Sequence, residues 1–272
     1  MGTAKRRRPT SSDLAGELIA RFKATFTGPP RWAWQFAPPV PLVGRQYRPG
    51  RGLLIYASAE NLSWMNLAAR IARSVRFTGE PAWNRYRVQA DDSGGEAAEF
   101  FPDVGIQPVT NGGLLAAGLF IAGRLGLATR TRPRAFLETI AVSNWCKFSI
   151  RAATNVDYIA DVKKLTASLP FVIGELAVLR PAAVLVPAQV WRHPIIQAAM
   201  RGASPWTRFL PVPQFNPRVV NIHLAKYARR AASLRSTLAG MPLAAWMAHL
   251  QGLNVENAWR YLAMLMRVAT GA

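Results

Sequence analysis

Apolar residues along this chain alternate between short continuous runs and longer stretches of helical spacing. A run within residues 51–60 predicts a first strand, Ile140 to Val142 a second buried strand, and residues 182–187 a third. Apolar positions from Tyr158 to Leu179 recur at about helical spacing, and Arg180-Pro181 ends that helix. This strand-helix-strand order predicts a parallel sheet with helices packed against it.

The flanking segments extend the same α/β pattern over the rest of the chain. The other predicted elements are a capped helix after Thr10, a helix at 63–74, a buried helix at 112–122, a helix at 191–201, a short strand at 209–213 and amphipathic helices at 218–238 and 243–268. A proline-rich segment at 29–41 predicts an irregular stretch that wraps the core.

These elements predict one domain. Residues 1–11 are interpreted as a basic disordered arm, and residues 12–272 as a single α/β domain. A loop-rich insertion is expected at about 76–104, and C-terminal helices at 218–269.

Charge changes the picture, because the chain carries a formal net charge of +20. No acidic residue lies between Glu175 and Glu256, and a second acid-free stretch runs from Arg21 to Arg51. A solvated basic surface is the ordinary explanation of such a pattern. Stretches this long favour a surface that binds a polyanion such as DNA.

Cysteine and histidine usage limits the possible cofactors. Cys146 is the only cysteine, which excludes a disulfide within the chain and an all-cysteine metal site. The three histidines are scattered, so we predict no metal and no other cofactor. The apolar runs are too short or too interrupted for a membrane span, and we expect no membrane partner.

Asn144 is the candidate ligand-binding residue. It stands at the end of the apolar segment that begins at Phe136, where an open α/β sheet exposes the carboxyl ends of its strands. Ligands of such sheets bind just outside those ends. The alternative is that Asn144 closes an Asx-turn at the end of the strand.

Five segments, in the right order, resemble motifs of the uracil-DNA glycosylase superfamily over roughly residues 52–221. The first is Tyr56-Ala-Ser-Ala-Glu60-Asn61, where the family has GQDPY, GEAPG, GMNPG or GINPG. Residues 105–115 are similar to the family's GRPFVGPAGKLL, and residues 143–148 are similar to its TNVVKC strand. Residues 169–186 are similar to the helix and strand that follow in the family, and Asn216-Pro-Arg218 is similar to its HPS or NPS loop. Here the first motif lacks the family's glycines and proline. Pro108 stands at the family's base-stacking aromatic, so Phe100 or Phe101 is expected to supply that ring.

The resemblance implies a three-layer α/β/α fold with a short, mostly parallel sheet and extra C-terminal helices. It also implies a monomeric hydrolase of DNA repair, located in the cytoplasm at the nucleoid, that flips a base out of DNA and hydrolyses its N-glycosidic bond. The implied roles are catalysis by Glu60 and Asn216, base binding by Asn144, Ser58, Phe101 and Trp145, and DNA binding by Arg208, Arg218, Asn221 and Lys226.

Simpler interpretations of the same residues remain open. Glu60 and Asn61 also fit a turn that begins a helix, Asn216-Pro217 also fits an ordinary turn, and the tryptophans also fit a packed core. A second function of a different class is therefore a catalytically silent protein of the same fold that binds nucleic acid or a protein partner. A third is another N-glycosidic or nucleotide hydrolase that uses the same pocket.

Overall fold

The computed structural model describes residues 9–33, 38, 40–59, 113–127, 138–148, 160–213, 224–237 and 255–271. Its strands are β1 (Leu42–Val43), β2 (Leu53–Ala59), β3 (Ile140–Cys146), β4 (Ala183–Pro187) and β5 (Arg208–Val212). Its α-helices are α1 (Ser11–Thr25), α2 (Gly113–Arg124), α3 (Val162–Thr166), α4 (Leu169–Leu179), α5 (Ala188–Trp191), α6 (Pro194–Ala203), α7 (Ala228–Thr237) and α8 (Val255–Thr270). A 3₁₀ turn at Ala225–Tyr227 leads into α7.

The described strands form one sheet in the order β1-β3-β2-β4-β5. Strands β3, β2, β4 and β5 are parallel, and only the two-residue β1 pairs antiparallel with its neighbour β3. The chain therefore starts the parallel part at β2, adds β3 on one side, and then crosses over to add β4 on the other. Such a reversal of strand order is where open α/β sheets bind their ligands.

Helices cover both faces of the sheet. Helices α1, α4 and α6 pack on one face, while α2 and α8 cover the other and α7 packs on α8. Helix α2, which lies between β2 and β3 in the chain, and helix α4, which lies between β3 and β4, are thus on opposite faces of the sheet. Right-handed crossovers in opposite directions along a sheet require this arrangement.

Local sequence explains where several elements begin and end. Thr10 and Asp13 form a reciprocal capping box at the start of α1, as its predicted cap requires. Pro170 stands in the first turn of α4, and Arg180 ends that helix in the left-handed conformation, with a φ of 44°. Every residue of β3 and β4 is buried, which explains their almost uninterrupted apolar sequences.

The structure confirms the predicted α/β class and its mostly parallel sheet, and it corrects some of the elements. The helix predicted from Tyr158 to Leu179 is wrong in its continuity, because Ala167 and Ser168 separate α3 from α4. The helix predicted at 191–201 corresponds to α6, which begins at Pro194, and the short α5 before it was not predicted. Leu42–Val43, just after the proline-rich stretch, adds an edge strand that was not predicted. The arm predicted at 1–11 is wrong at its end, because Thr10 caps α1 and Ser11 begins it. Residues 1–8 of that arm, the helix predicted at 63–74 and the insertion predicted at 76–104 lie outside the described residues.

Gly52, immediately before β2, packs against the face of a buried tyrosine ring. A Cβ atom built at Gly52 overlaps the Tyr47 ring, and the ring's Cδ2 atom is 2.9 Å away. The ring is not free to move aside, since its hydroxyl donates to the Leu179 carbonyl oxygen at 3.1 Å. We expect Gly52→Ala to lower the free energy of unfolding by about 1–3 kcal/mol, the usual cost of overpacking, as measured by chemical denaturation.

Gly16→Ala is the matched control for Gly52→Ala. Gly16 is exposed in α1, and a Cβ atom there meets nothing within 4 Å. Alanine in an exposed helix is expected to raise stability by about 0.5–1 kcal/mol. Equal effects at the two positions would show that the contact with Tyr47 has no energetic consequence.

Candidate functional site

Asn144 lies near the carboxyl end of β3, beside the central strand β2. Its backbone pairs with Ala57 of the neighbouring β2, and its side chain is completely buried. Strand alternation places Asn144 on the same face as Val142, which belongs to the core beneath α2 and α8. A buried carboxamide inside a strand differs from the Asx-turn that was the alternative for this residue. The structure thus places a buried hydrogen-bonding group near the carboxyl edge of the sheet.

Trp145, the next residue, belongs to the core rather than to an open binding surface. Its side chain is fully buried and packs edge-on against Tyr56, with the ring centroids 5.5 Å apart. Strand alternation directs it to the face opposite Asn144, so the two side chains do not share a pocket. The structure shows Trp145 packed in the core, and its role in base binding stays a prediction. Ser58 lies in β2 as expected, but its side chain is outside what the structure describes.

A buried polar network occupies the α4 face of the sheet directly behind Asn144. The Lys147 ammonium contacts the Glu175 carboxylate and donates to the Ser143 hydroxyl at 2.7 Å. Glu175 also accepts hydrogen bonds from the Tyr56 hydroxyl at 2.6 Å and from the Ser143 hydroxyl at 2.9 Å. All four side chains are at most 2% exposed. We call Tyr56, Ser143, Lys147 and Glu175 the buried network.

Burial shifts the titration of the charged pair. Loss of solvation raises the pKa of the Glu175 carboxyl above its ordinary value, although contacts with Lys147, Tyr56 and Ser143 oppose this. The same loss of solvation lowers the pKa of Lys147, against the attraction of Glu175. The Tyr56 pKa is raised well above its ordinary value by burial first and by Glu175 second. The buried network therefore stabilises two buried charges, each of which would be unfavourable without the other.

The network connects three elements that frame the carboxyl end of β3. Tyr56 comes from β2, Ser143 from β3 and Glu175 from α4, while Lys147 follows the last residue of β3. The Lys147 backbone N–H also donates to the Ser168 hydroxyl, at 2.9 Å, just before α4 begins. Ser143 and Lys147 thus hold the strand on both sides of Asn144. Its position is set by a hydrogen-bonded frame and not by packing alone.

Sequence reasoning missed the buried network, although the chain contains a signal for it. Glu175 is the only charged residue within α4, and Lys147 directly follows a strand that is buried throughout. A single charge in an apolar helix must find a partner when the helix is buried on its apolar faces. An isolated acid and an isolated base in two such segments predict a buried ion pair.

Two of the four residues predicted to bind DNA, Arg208 and Lys226, are among the described residues. Arg208 is the first residue of β5, at the amino edge of the sheet, whereas Asn144 lies at the carboxyl edge. Its guanidinium also donates to the Ala269 carbonyl oxygen at the end of α8. Lys226 is exposed in the 3₁₀ turn before α7, with its ammonium 5.4 Å from the centre of the Tyr227 ring. Arg208 and Asn144 thus lie at opposite edges of the sheet, and the DNA-binding roles of Arg208 and Lys226 stay predictions.

Five further predicted site residues cannot be compared with this geometry. Glu60, Phe101, Asn216, Arg218 and Asn221 all lie outside the described residues. Their assignments stay predictions.

The described part of the acid-free stretch after Glu175 spreads over both outer helix layers and the amino edge, and so does not form a single face.

The described residues contain no group of three or more histidine, cysteine, aspartate or glutamate side chains suited to a metal ion. None of the described helices is both long and apolar enough to span a bilayer. Comparison with protein-family models, curated proteins and solved structures gives no match.

Proposed function

We propose that this protein binds DNA and hydrolyses the N-glycosidic bond of uracil or a related damaged base, with Asn144 as the residue that reads the base. The single observation that supports this most is the position of Asn144. Its amide is buried at the carboxyl edge of a parallel sheet, next to the strand around which the strand order reverses. That edge is where ligands of open α/β sheets bind.

The proposed chemistry requires an amide at such a place. The carboxamide oxygen accepts from the ring N–H of uracil, and the carboxamide nitrogen donates to a neighbouring ring carbonyl. Cytosine presents the reverse pattern and is rejected because buried polar groups would be left unmatched. A fixed side chain discriminates better than a mobile one, and the buried network holds the strand around Asn144 on both sides.

The reaction itself is a hydrolysis. The bond between C1′ of the sugar and the base nitrogen breaks, with its electrons leaving on the base. Water forms the new bond to C1′ and releases a proton, which the departing base takes up. A carboxylate beside the sugar orients this water and offsets the positive charge that develops. Glu60, which directly follows β2 in the sequence, is the proposed carboxylate, and Asn216 is the proposed donor to the leaving base.

Base release from uracil-containing oligonucleotides tests the proposal. The full-length protein is incubated with end-labelled single and double strands that carry one uracil, and abasic sites are cleaved with alkali. We expect cleavage at the uracil position only. Glu60→Gln should slow it by about a hundred-fold or more and leave DNA binding nearly unchanged.

A catalytically silent binder gives a different result in the same assay. The wild-type protein would then bind the oligonucleotides but release no base from uracil, hypoxanthine or mismatched substrates. That outcome would refute the hydrolase proposal and retain only the binding function. If the protein did not bind the oligonucleotides even at low salt, the hydrolase proposal and the binding function would both be refuted.

A further inference from the structure

The amino edge of the sheet brings the two acid-free stretches of the chain together. The Gly50 N–H donates to the Arg180 carbonyl oxygen at 2.6 Å, which joins the turn before β2 to the turn before β4. The Arg208 N–H donates to the Ala182 carbonyl oxygen at 3.0 Å, which joins the turn before β4 to the start of β5. Residues distant in sequence thus form one continuous edge.

This edge is strongly basic. Arg48, Arg51, Arg180 and Arg208 are all exposed along it, and none forms an ion pair with a carboxylate of the described residues. The described carboxylate at the nearby start of β3, Glu138, accepts a hydrogen bond from Gln46 at 2.9 Å. Among the described residues, no carboxylate is therefore paired with the arginines of this edge.

An exposed tryptophan lies among these arginines. Trp206, in the turn between α6 and β5, is 57% exposed, whereas Trp145, Trp191 and Trp259 are buried. The Arg180 guanidinium lies over its ring, 5.8 Å from the centroid. The Thr207 hydroxyl, next in sequence, donates to the Pro181 carbonyl oxygen at 2.7 Å and fixes the turn. The ring is thus held on a rigid support, and this support presents it to solvent.

We infer that Arg48, Arg51, Arg180, Trp206 and Arg208, the amino-edge patch, bind single-stranded nucleic acid. An unpaired base stacks on the Trp206 ring, and the arginines contact the phosphates on either side. Interleaved aromatic and basic side chains are the usual means of binding single strands without sequence preference. Bases in a duplex are already stacked on each other and offer no face to an isolated ring, so the exposed tryptophan favours the single strand.

This surface is separate from the site proposed at Asn144. The two lie at opposite edges of the sheet, and a seven-residue strand such as β2 extends roughly 20 Å at about 3.3 Å per residue. Binding at the amino-edge patch therefore does not depend on base release. It gives the protein a second contact with nucleic acid that remains measurable even if the protein releases no base.

Fluorescence anisotropy with a labelled single-stranded oligonucleotide of mixed sequence tests the inference. Trp206→Ala should weaken binding about tenfold or more, because a base stacked on an aromatic ring contributes about 1–3 kcal/mol. Trp206→Phe should restore most of the affinity. Arg51→Gln with Arg180→Gln should lower the slope of log K against log salt by about 0.7 for each lost phosphate contact. Circular dichroism should confirm that these exposed substitutions leave the fold intact.

Arg229→Gln with Arg230→Gln is the matched control, because it removes the same charge from exposed positions on α7. Equal losses from the two double variants, with no effect of Trp206→Ala, would overturn the inference in favour of a diffuse basic surface. The inference would also be overturned if duplex bound with the same affinity as the single strand and Trp206→Ala did not change that affinity. Trp206-dependent binding to anionic phospholipid vesicles, with oligonucleotide binding unchanged, would assign the patch to a membrane surface instead.

Discussion

Replacing Lys147 with methionine is expected to lower the free energy of unfolding by about 3–5 kcal/mol near pH 8, a larger loss than that expected for Gly52→Ala. Methionine fills the space of the aliphatic stem but leaves the Glu175 carboxylate buried without its cationic partner. Breaking a buried ion pair at one end commonly costs this much, since the remaining charge has lost both water and counter-charge. Urea denaturation followed by circular dichroism measures the loss.

The loss from Lys147→Met should depend on pH in a defined direction. Burial already raises the pKa of Glu175 in the folded protein, and removing Lys147 removes the largest influence that opposes this. A carboxyl whose folded pKa lies above its unfolded value of about 4.3 stabilises the fold fully only below that value. The variant should therefore be most stable in acid and lose up to about 1.4 kcal/mol per pH unit as pH rises towards the folded pKa.

Lys147→Met combined with Glu175→Gln separates the charge from the shape of the site. Glutamine keeps an oxygen for the Tyr56 hydroxyl and an amide for the Ser143 hydroxyl, while it carries no charge. We expect the double variant to be more stable than Lys147→Met at pH 8 and to show no pH dependence from this position. If Lys147→Met cost less than about 1 kcal/mol at pH 8, the pair would not be the buried ion pair described.

The sequence predicts strands β2, β3 and β4 of the sheet more directly than it predicts the edge strand β1. Apolar runs at β2, β3 and β4 predicted parallel strands, because a strand covered on both faces contains little besides apolar residues. The short β1 had no such signal, since two residues among prolines pair with β3 only through tertiary contacts. The break at Ala167 and Ser168 was also missed, because apolar spacing continues across it. The Ser168 hydroxyl at this break accepts a hydrogen bond from the Lys147 N–H just after β3, which is a tertiary contact.

The candidate site was predictable in part for similar reasons. Asn144 was located correctly near a strand end, since a polar side chain after an apolar run marks the end of a buried strand. Period-two alternation points the side chains of Trp145 and Asn144 to opposite faces of the sheet, so the sequence already contained a signal against a shared pocket. The amino-edge patch was out of reach, because no local pattern shows that Arg51 and Arg180 are brought together by the hydrogen bond from Gly50.

Asn144→Asp is expected to slow release of uracil by about a hundred-fold at pH 8, under the proposal that Asn144 reads the base. Aspartate has nearly the size of asparagine, but when ionised it offers only acceptors, so it cannot donate to the uracil carbonyl. Single-turnover cleavage of a labelled uracil-containing strand measures the rate. Asn257→Asp on α8 is the matched control, because it makes the same chemical change outside the sheet.

The pH dependence of the Asn144→Asp variant distinguishes base recognition from damage to the fold. A carboxyl in this fully buried position should have a raised pKa, since desolvation disfavours its charged form. As pH falls through that value the acid regains a proton, and its hydroxyl can donate where the amide did. Base release relative to the wild-type protein should therefore recover towards acid pH, whereas a general loss of folding would depress it equally at every pH at which the variant remains folded. If the variant had the melting temperature of the wild-type protein and released uracil at the wild-type rate at pH 8, Asn144 would not be the residue that reads the base.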